Sequence, residues 1–175
     1  MKLARAIHFD ESDQRVFHSP ARTGEWCVPG GFEFSNWSEA DLTGKARQAF
    51  ANGWFGLETS GRVTFVAVTD ITDTELEQLT ALLAQHFVTY YGAPSIEAAT
   101  PVAAEELAHM MELCEDHSAN TLLTVARQTP YCSASFLSEG RRALMEEVPI
   151  RPISFSFSSR CSEMLSCALL IHIIL

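Results

Sequence analysis

Residues 61–76 read GRVTFVAVTDITDTEL, a passage from strand to helix on which the reading of the fold turns. Its first half, Gly61 to Val68, puts Val63, Phe65 and Ala67 on one face and Thr64, Val66 and Val68 on the other. Both faces are mostly apolar, and such a strand belongs in the middle of a sheet. The second half supplies a helix start. Thr72 can cap, and Glu75 three residues on completes a capping box. Leu76, Leu79, Leu82, Leu83, Phe87 and Tyr90 then recur at helical spacing as an apolar stripe, until Gly92 and Pro94 end it.

On the N-terminal side, Leu3 to Phe9 alternates as a strand. Asp10-Glu11-Ser12-Asp13 is turn chemistry, and Arg15 to His18 suggests a return strand, which makes a hairpin. Glu25 to Val28 reads as strand, Pro29-Gly30-Gly31 as a turn or bulge, and Phe32-Glu33-Phe34 as strand again by its strict alternation. A helix is expected from Ser38, with Asp41 placed for a capping box, Leu42, Ala46, Ala49 and Phe50 on one face, and Gly53 at its end. On the C-terminal side, a third helix is expected over Val102 to Asp116, with Leu107, Met110, Met111 and Cys114 inward. Thr121 to Arg127 follows as a strand. The order β-β-β-α-β-α-α-β mixes hairpins with helices. The expected fold is α+β, a two-layer sandwich with a mostly antiparallel sheet and about three helices on one face, formed by residues 1–128.

After Gln128 the composition changes. Residues 129–175 hold nine of the sixteen serines and three of the five cysteines. Ile153 to Ser159 alternates like a strand, and the chain ends in the apolar Leu169 to Leu175. Two readings stand side by side: a final strand pair that pads the core, or a read-through or frame-shifted end whose composition was never selected for folding. An exposed IHIIL edge would promote aggregation.

The segments ARAIHFDESD (4–13), WCVPGGFEF (26–34) and FVAVTDITDTELEQL (65–79), within Leu3 to Gln128, resemble a small family of uncharacterised bacterial proteins of unknown function. The resemblance covers about three quarters of the chain. It implies a compact cytoplasmic domain and carries over no catalytic or binding residue.

The formal charge is −10, and it belongs to residues 1–128, which hold eighteen acidic and eight basic residues. That balance argues against nucleic acid, whose phosphates need cations, and against an anionic membrane surface. A cationic partner or plain solubility fits it. The cysteines are odd in number, show no CxxC spacing, and follow an N-terminus without a secretory signal, so free thiols in a reducing cytoplasm are expected. The apolar run Met164 to Leu175 is too short for a spanning helix.

Five groups could carry chemistry. Cys114 and His117 share a helical face, but His109 points elsewhere, and a zinc site would need Cys27 with His8 or His18 from another segment. Cys27 beside Gly30-Gly31 could be a nucleophile, or a small buried strand residue. Pro29-Gly30-Gly31 lacks the Gly-Lys-Ser/Thr ending of a phosphate loop and reads as a turn. Glu105, Glu106, Glu112, Glu115 and Asp116 read as the solvated face of the third helix. The aromatics concentrate between 26 and 55, and Trp37, Trp54, Phe55 and Trp26 are the candidate partner or ligand surface, against the reading that they are core. No metal, cofactor or catalytic residue is expected. The leading expectation is a non-enzymatic cytoplasmic accessory or protein-interaction domain. The second is a small-molecule binder or minor enzyme with a pocket between helices and sheet.

Overall fold

A computed structural model describes residues 1–128 and two further strands, Glu146–Pro149 and Ala168–Ile174. The fold is α+β. Six strands, β1 (Lys2–Ile7), β2 (Trp26–Val28), β3 (Trp54–Gly56), β4 (Arg62–Val63), β5 (Phe65–Asp70) and β6 (Leu122–Gln128), make a curled antiparallel sheet in the order β4-β3-β2-β1-β5-β6. Beyond β6 the order continues with β8 (Ala168–Ile174) and then β7 (Glu146–Pro149), again antiparallel. Among the described residues, three helices of seven or more residues pack on this sheet: α2 (Gly44–Asn52), α3 (Asp73–Tyr91) and α4 (Ile96–Glu115). A short helix, α1 (Ser12–Val16), precedes them.

The passage 61–76 behaves as its pattern demands, with one break. β5 lies between β1 and β6, and Val66 and Val68 are fully buried. The expected strand over 61–68 is split at Thr64, so that Arg62 and Val63 pair with β3 while Phe65 onward pairs with β1. At this corner Thr64 turns its N–H (3.2 Å) and hydroxyl (2.6 Å) to the carboxylate of Asp13. The Thr72–Glu75 capping box is formed, and Gly92 closes α3 in the left-handed conformation (φ 69°). Leu79, Leu83 and Phe87 are buried, but Leu82 and Tyr90 are exposed. The expected stripe was wider than the face that α4 and the sheet cover.

The N-terminal hairpin is corrected. Residues 12–16 are helix α1, and the partners of β1 are β2 and β5. Burying Asp13 beneath Thr64 and His8 requires this turn of helix, which a four-residue alternation does not reveal. Phe32-Glu33-Phe34 is likewise a 3-10 turn, Gly31–Phe34, and no strand. The turn sends Phe32 into the main core and Phe34 into a second, smaller cluster with Leu42 and Phe50. Gly30 opens it at φ 66°, where a Cβ would overlap that of Phe55. The Ser38–Asp41 capping box exists, yet it caps a 3-10 turn, Glu39–Asp41, and α2 starts at Gly44. The third expected helix begins six residues early. Ser95 caps α4 by accepting from Ala98 N at 3.3 Å, and Pro101 sits inside the helix, where the pattern had suggested a boundary. The strand expected at Ile153–Ser159 lies outside the described residues.

The main core gathers Leu3, Val28, Trp54, Phe55, Val63 and Val66 from the sheet with Leu83, Phe87, Leu107, Met110 and Cys114 from the α3–α4 hairpin. Leu83→Ala is expected to destabilise the fold by about 2–5 kcal/mol, whereas Leu82→Ala should change it by less than about 0.5 kcal/mol. Urea unfolding of the two variants measures the contrast.

Candidate functional site

Buried charge collects at one place, under the Pro29-Gly30 turn. Arg62 on β4 and Arg127 on β6 are 6% and 4% exposed. Arg127 donates from Nη1 to the carbonyls of Phe50 (2.7 Å) and Gly53 (3.1 Å), and from Nη2 to that of Pro29. Arg62 donates from Nη1 to the same Gly53 carbonyl (3.3 Å) and from Nη2 to the Glu33 carboxylate. Both guanidiniums face the Phe34 ring, at 4.8 Å for Arg62 and 5.8 Å for Arg127, and Arg62 also faces Phe55 at 5.1 Å. Edge contacts from Trp37 and Phe50 to Phe34, at 5.1 and 5.2 Å, close this wall from outside.

The ionisable groups around the pair respond to it. Burial and then the charge of Arg127 bring Arg62 down to about 9, so it stays a cation at neutral pH. Burial pushes Tyr91 up to about 12, with Arg62 opposing. Burial and then Arg62 lower His86, which keeps that ring neutral. His86 stands among Phe55 (5.2 Å), Tyr90 (4.8 Å) and Tyr91 (5.6 Å), with Nδ1 at 3.4 Å from the Ser60 hydroxyl and Nε2 buried with no hydrogen-bond partner among the described residues. Burial raises Glu106 to about 7, with Arg127 opposing. Clustered perturbed groups can mark a reactive site. Here the guanidinium donors are turned inward to the protein's own carbonyls and to Glu33, so the arrangement fastens three segments together.

Arg62, Arg127, Glu33, His86 and Tyr91 escaped the reading of the sequence. The available signal was Arg62 itself, a charge inside the most apolar strand of the chain. Glu106 is a correction: it was read as part of a solvated acidic face, but it is largely desolvated, while Glu105, Glu112, Glu115 and Asp116 are exposed.

The expected aromatic surface is dispersed. Trp54 and Phe55 are 0% and 1% exposed in the main core, because β3 lies inside the sheet between β2 and β4. Trp26 is buried beneath Arg5, whose guanidinium lies 3.6 Å from its ring centre. Trp37 alone of the four is partly exposed. Cys27 is fully buried, and its thiol is pushed well up by burial and then by the carboxylates of Glu25 and Glu58, the opposite of an activated nucleophile. Burial pushes Cys114 up to about 12. His109 lies 4.0 Å from Glu112, His8 contacts Thr23 (2.9 Å) and Asp13 (3.4 Å), and His18 is exposed. Among the described residues, no three His, Cys, Asp or Glu side chains gather as a metal site. Nor is any helix among them long and apolar enough to cross a membrane.

A family model matches residues 1–145, described as a family of unknown function. The chain belongs to that family, DUF6505. The resemblance read over residues 3–128 therefore stands, and membership of DUF6505 assigns no activity. No curated protein and no solved structure matches the chain.

Glu106 gives a pH test. Its folded pKa lies above the unfolded value, so the folded state loses stability as pH rises from the unfolded pKa through about 7. Glu106→Gln is expected to be more stable than the parent at pH 8 by about 1–3 kcal/mol, with the difference vanishing near pH 4. Urea midpoints at the two pH values give the comparison.

Proposed function

We propose that the chain is a non-enzymatic cytoplasmic accessory protein that binds a basic partner protein through its α3–α4 hairpin. One observation carries the reading. From Val63 to Ala126 the chain has ten acidic residues and no Lys or Arg. Of these, Asp73, Glu77, Glu97, Glu105, Glu112, Glu115 and Asp116 are exposed on or at the ends of the hairpin. Among these acids, which meet Arg5 at Glu75 and Lys2 at the end of α4, Leu82 (39% exposed) and Tyr90 (71%) flank His86 along one face of α3, and Ile96 is exposed at the start of α4. Apolar side chains ringed by one sign of charge suit a partner whose own apolar contacts are bordered by Lys and Arg. Trp37, at the rim of the second core cluster, offers a further accessible aromatic anchor. Buried, unactivated thiols at Cys27 and Cys114 suit a reducing compartment and a role without thiol chemistry.

Isolation of the tagged chain from its native cells, beside a Leu82→Asp/Tyr90→Asp variant, tests this reading. Both positions are exposed, so the variant should keep the parent circular dichroism. The expected result is a stoichiometric basic protein retained by the parent, lost from the variant, and released as ionic strength rises. Recovery of no stoichiometric partner, or one held equally by the variant, counts against it.

A second reading, a small-molecule binder with its pocket between helices and sheet, is favoured by a cleft among α1, α2, the β4–β5 corner at Thr64 and strand β6.

A further inference from the structure

We infer that the Thr23 hydroxyl is an acyl acceptor, with His8 as its base and buried Asp13 behind the imidazole, and that it takes its acyl group from an activated ester. The three side chains meet in series. His8 Nδ1 lies 2.9 Å from Thr23 Oγ1, and His8 Nε2 lies 3.4 Å from Asp13 Oδ2. A carboxylate facing one ring nitrogen favours the proton there and leaves the lone pair on the other, here the nitrogen that faces the hydroxyl. Hydroxyl, imidazole and carboxylate in that sequence of contacts are the groups of nucleophilic acyl transfer, whatever their order along the chain.

Asp13 and Thr23 are each held by bonds of their own. Asp13 is 3% exposed, and its two oxygens accept from the Thr64 hydroxyl at 2.6 Å and the Thr64 N–H at 3.2 Å. Thr23 sits in the turn from Arg22 to Glu25, closed by the Glu25 N–H on the Arg22 carbonyl (3.2 Å) with Gly24 at φ 82°. The Gly24 N–H on the Ala6 carbonyl (2.9 Å) and the Arg5 guanidinium on the Gly24 carbonyl (2.7 Å) tie that turn to β1. The buried Glu25 carboxylate accepts from the Arg22 N–H at 2.8 Å and pins the turn again. A nucleophile fixed in this way gives up little further freedom on reaching its transition state.

The burial gradient along the series is the one acyl transfer needs. The carboxylate is inside, the imidazole is 18% exposed, and Thr23 is open to solvent, where an ester reaches it. Phe9, the residue after His8, is 66% exposed and meets Phe65 edge to face at 5.3 Å, an open apolar surface that suits an acyl chain or an aryl leaving group. In the transfer, Thr23 Oγ1 bonds to the acyl carbon as its hydrogen passes to His8 Nδ1. The bond from that carbon to the leaving oxygen then breaks, and the alcohol or phenol departs with the proton from His8. The product is an O-acylthreonine, one per chain, so the step goes beyond the accessory reading without replacing it.

Incubation of the full chain with p-nitrophenyl acetate, followed by peptide-mapped mass spectrometry, tests the assignment. The expected result is acetylation of Thr23 about tenfold or more faster than that of Thr43 and Thr74, which are also exposed. The reaction should slow in D2O and persist in Thr23→Ser. It should fall by about 100-fold in His8→Gln, whose amide can bridge the same two partners but cannot take up a proton. Labelling of Thr23 no faster than that of Thr43 and Thr74 would overturn the inference. So would fast labelling that is unchanged in a folded His8→Gln chain. Should that variant fail to fold, equal rates of Thr23 labelling in H2O and D2O in the parent would overturn it.

Discussion

Two like charges inside this protein meet at one oxygen: the guanidiniums of Arg62 and Arg127 both donate to the carbonyl of Gly53. Burying two cations side by side is unfavourable unless carbonyls, a carboxylate and aromatic faces replace the water they lose. Each replacement is present. Pro29 and Phe50 supply further carbonyls, Glu33 the counter-charge, and Phe34 and Phe55 the ring faces. These groups come from the turn after β2, the end of α2 and the start of β3, segments that local hydrogen bonding alone would leave loosely joined. The position of each therefore depends on the arginine pair.

This constraint accounts for the concentration of aromatic residues between 26 and 55. They form the low-dielectric wall that the charged centre needs, and Trp37, Phe34 and Phe50 close its outer side. Their role in the wall leaves little aromatic surface on that side of the molecule. Among the described residues, the large apolar groups that remain open are Met1 and Phe9 beside β1, Leu82 and Tyr90 on α3 and Ile96 on α4, the last three on a helical hairpin without Lys or Arg. Inside, two cations are held by carbonyls and by Glu33; the hairpin's own charged residues are all acids.

Where a physical signal was local and complete, the sequence could be read. The Thr72–Glu75 box, the stripe through Leu79, Leu83 and Phe87, and the doubly apolar strand at 65–68 each place one element without reference to any other. Phe32-Glu33-Phe34 could not be read this way. Its alternation is that of a strand, but its two rings serve different clusters, and only the arginines and α3 decide that. The break at Thr64 answers to Asp13, which is 51 residues away in sequence. Leu82 and Tyr90 obeyed the helical period and still lie outside, since periodicity gives a direction and not the width of the covered face. Trp54 and Phe55, expected at a surface, form an inner strand with Gly56, because β2 and β4 from other parts of the chain enclose it. Glu106 looked like one acid among several because the burial that sets it apart comes from tertiary packing and leaves no mark in its own segment.

Removal of one arginine tests the dependence most directly. Arg127→Ala takes its donors from the carbonyls of Pro29 and Phe50 and leaves that of Gly53 to Arg62, and urea unfolding combined with amide hydrogen exchange reads the consequence. The expected result is a loss of about 3 kcal/mol or more, with protection falling first at residues 30–34 and 50–55. A loss below about 1 kcal/mol with protection unchanged in those segments would contradict the dependence of this fold on its buried guanidinium pair.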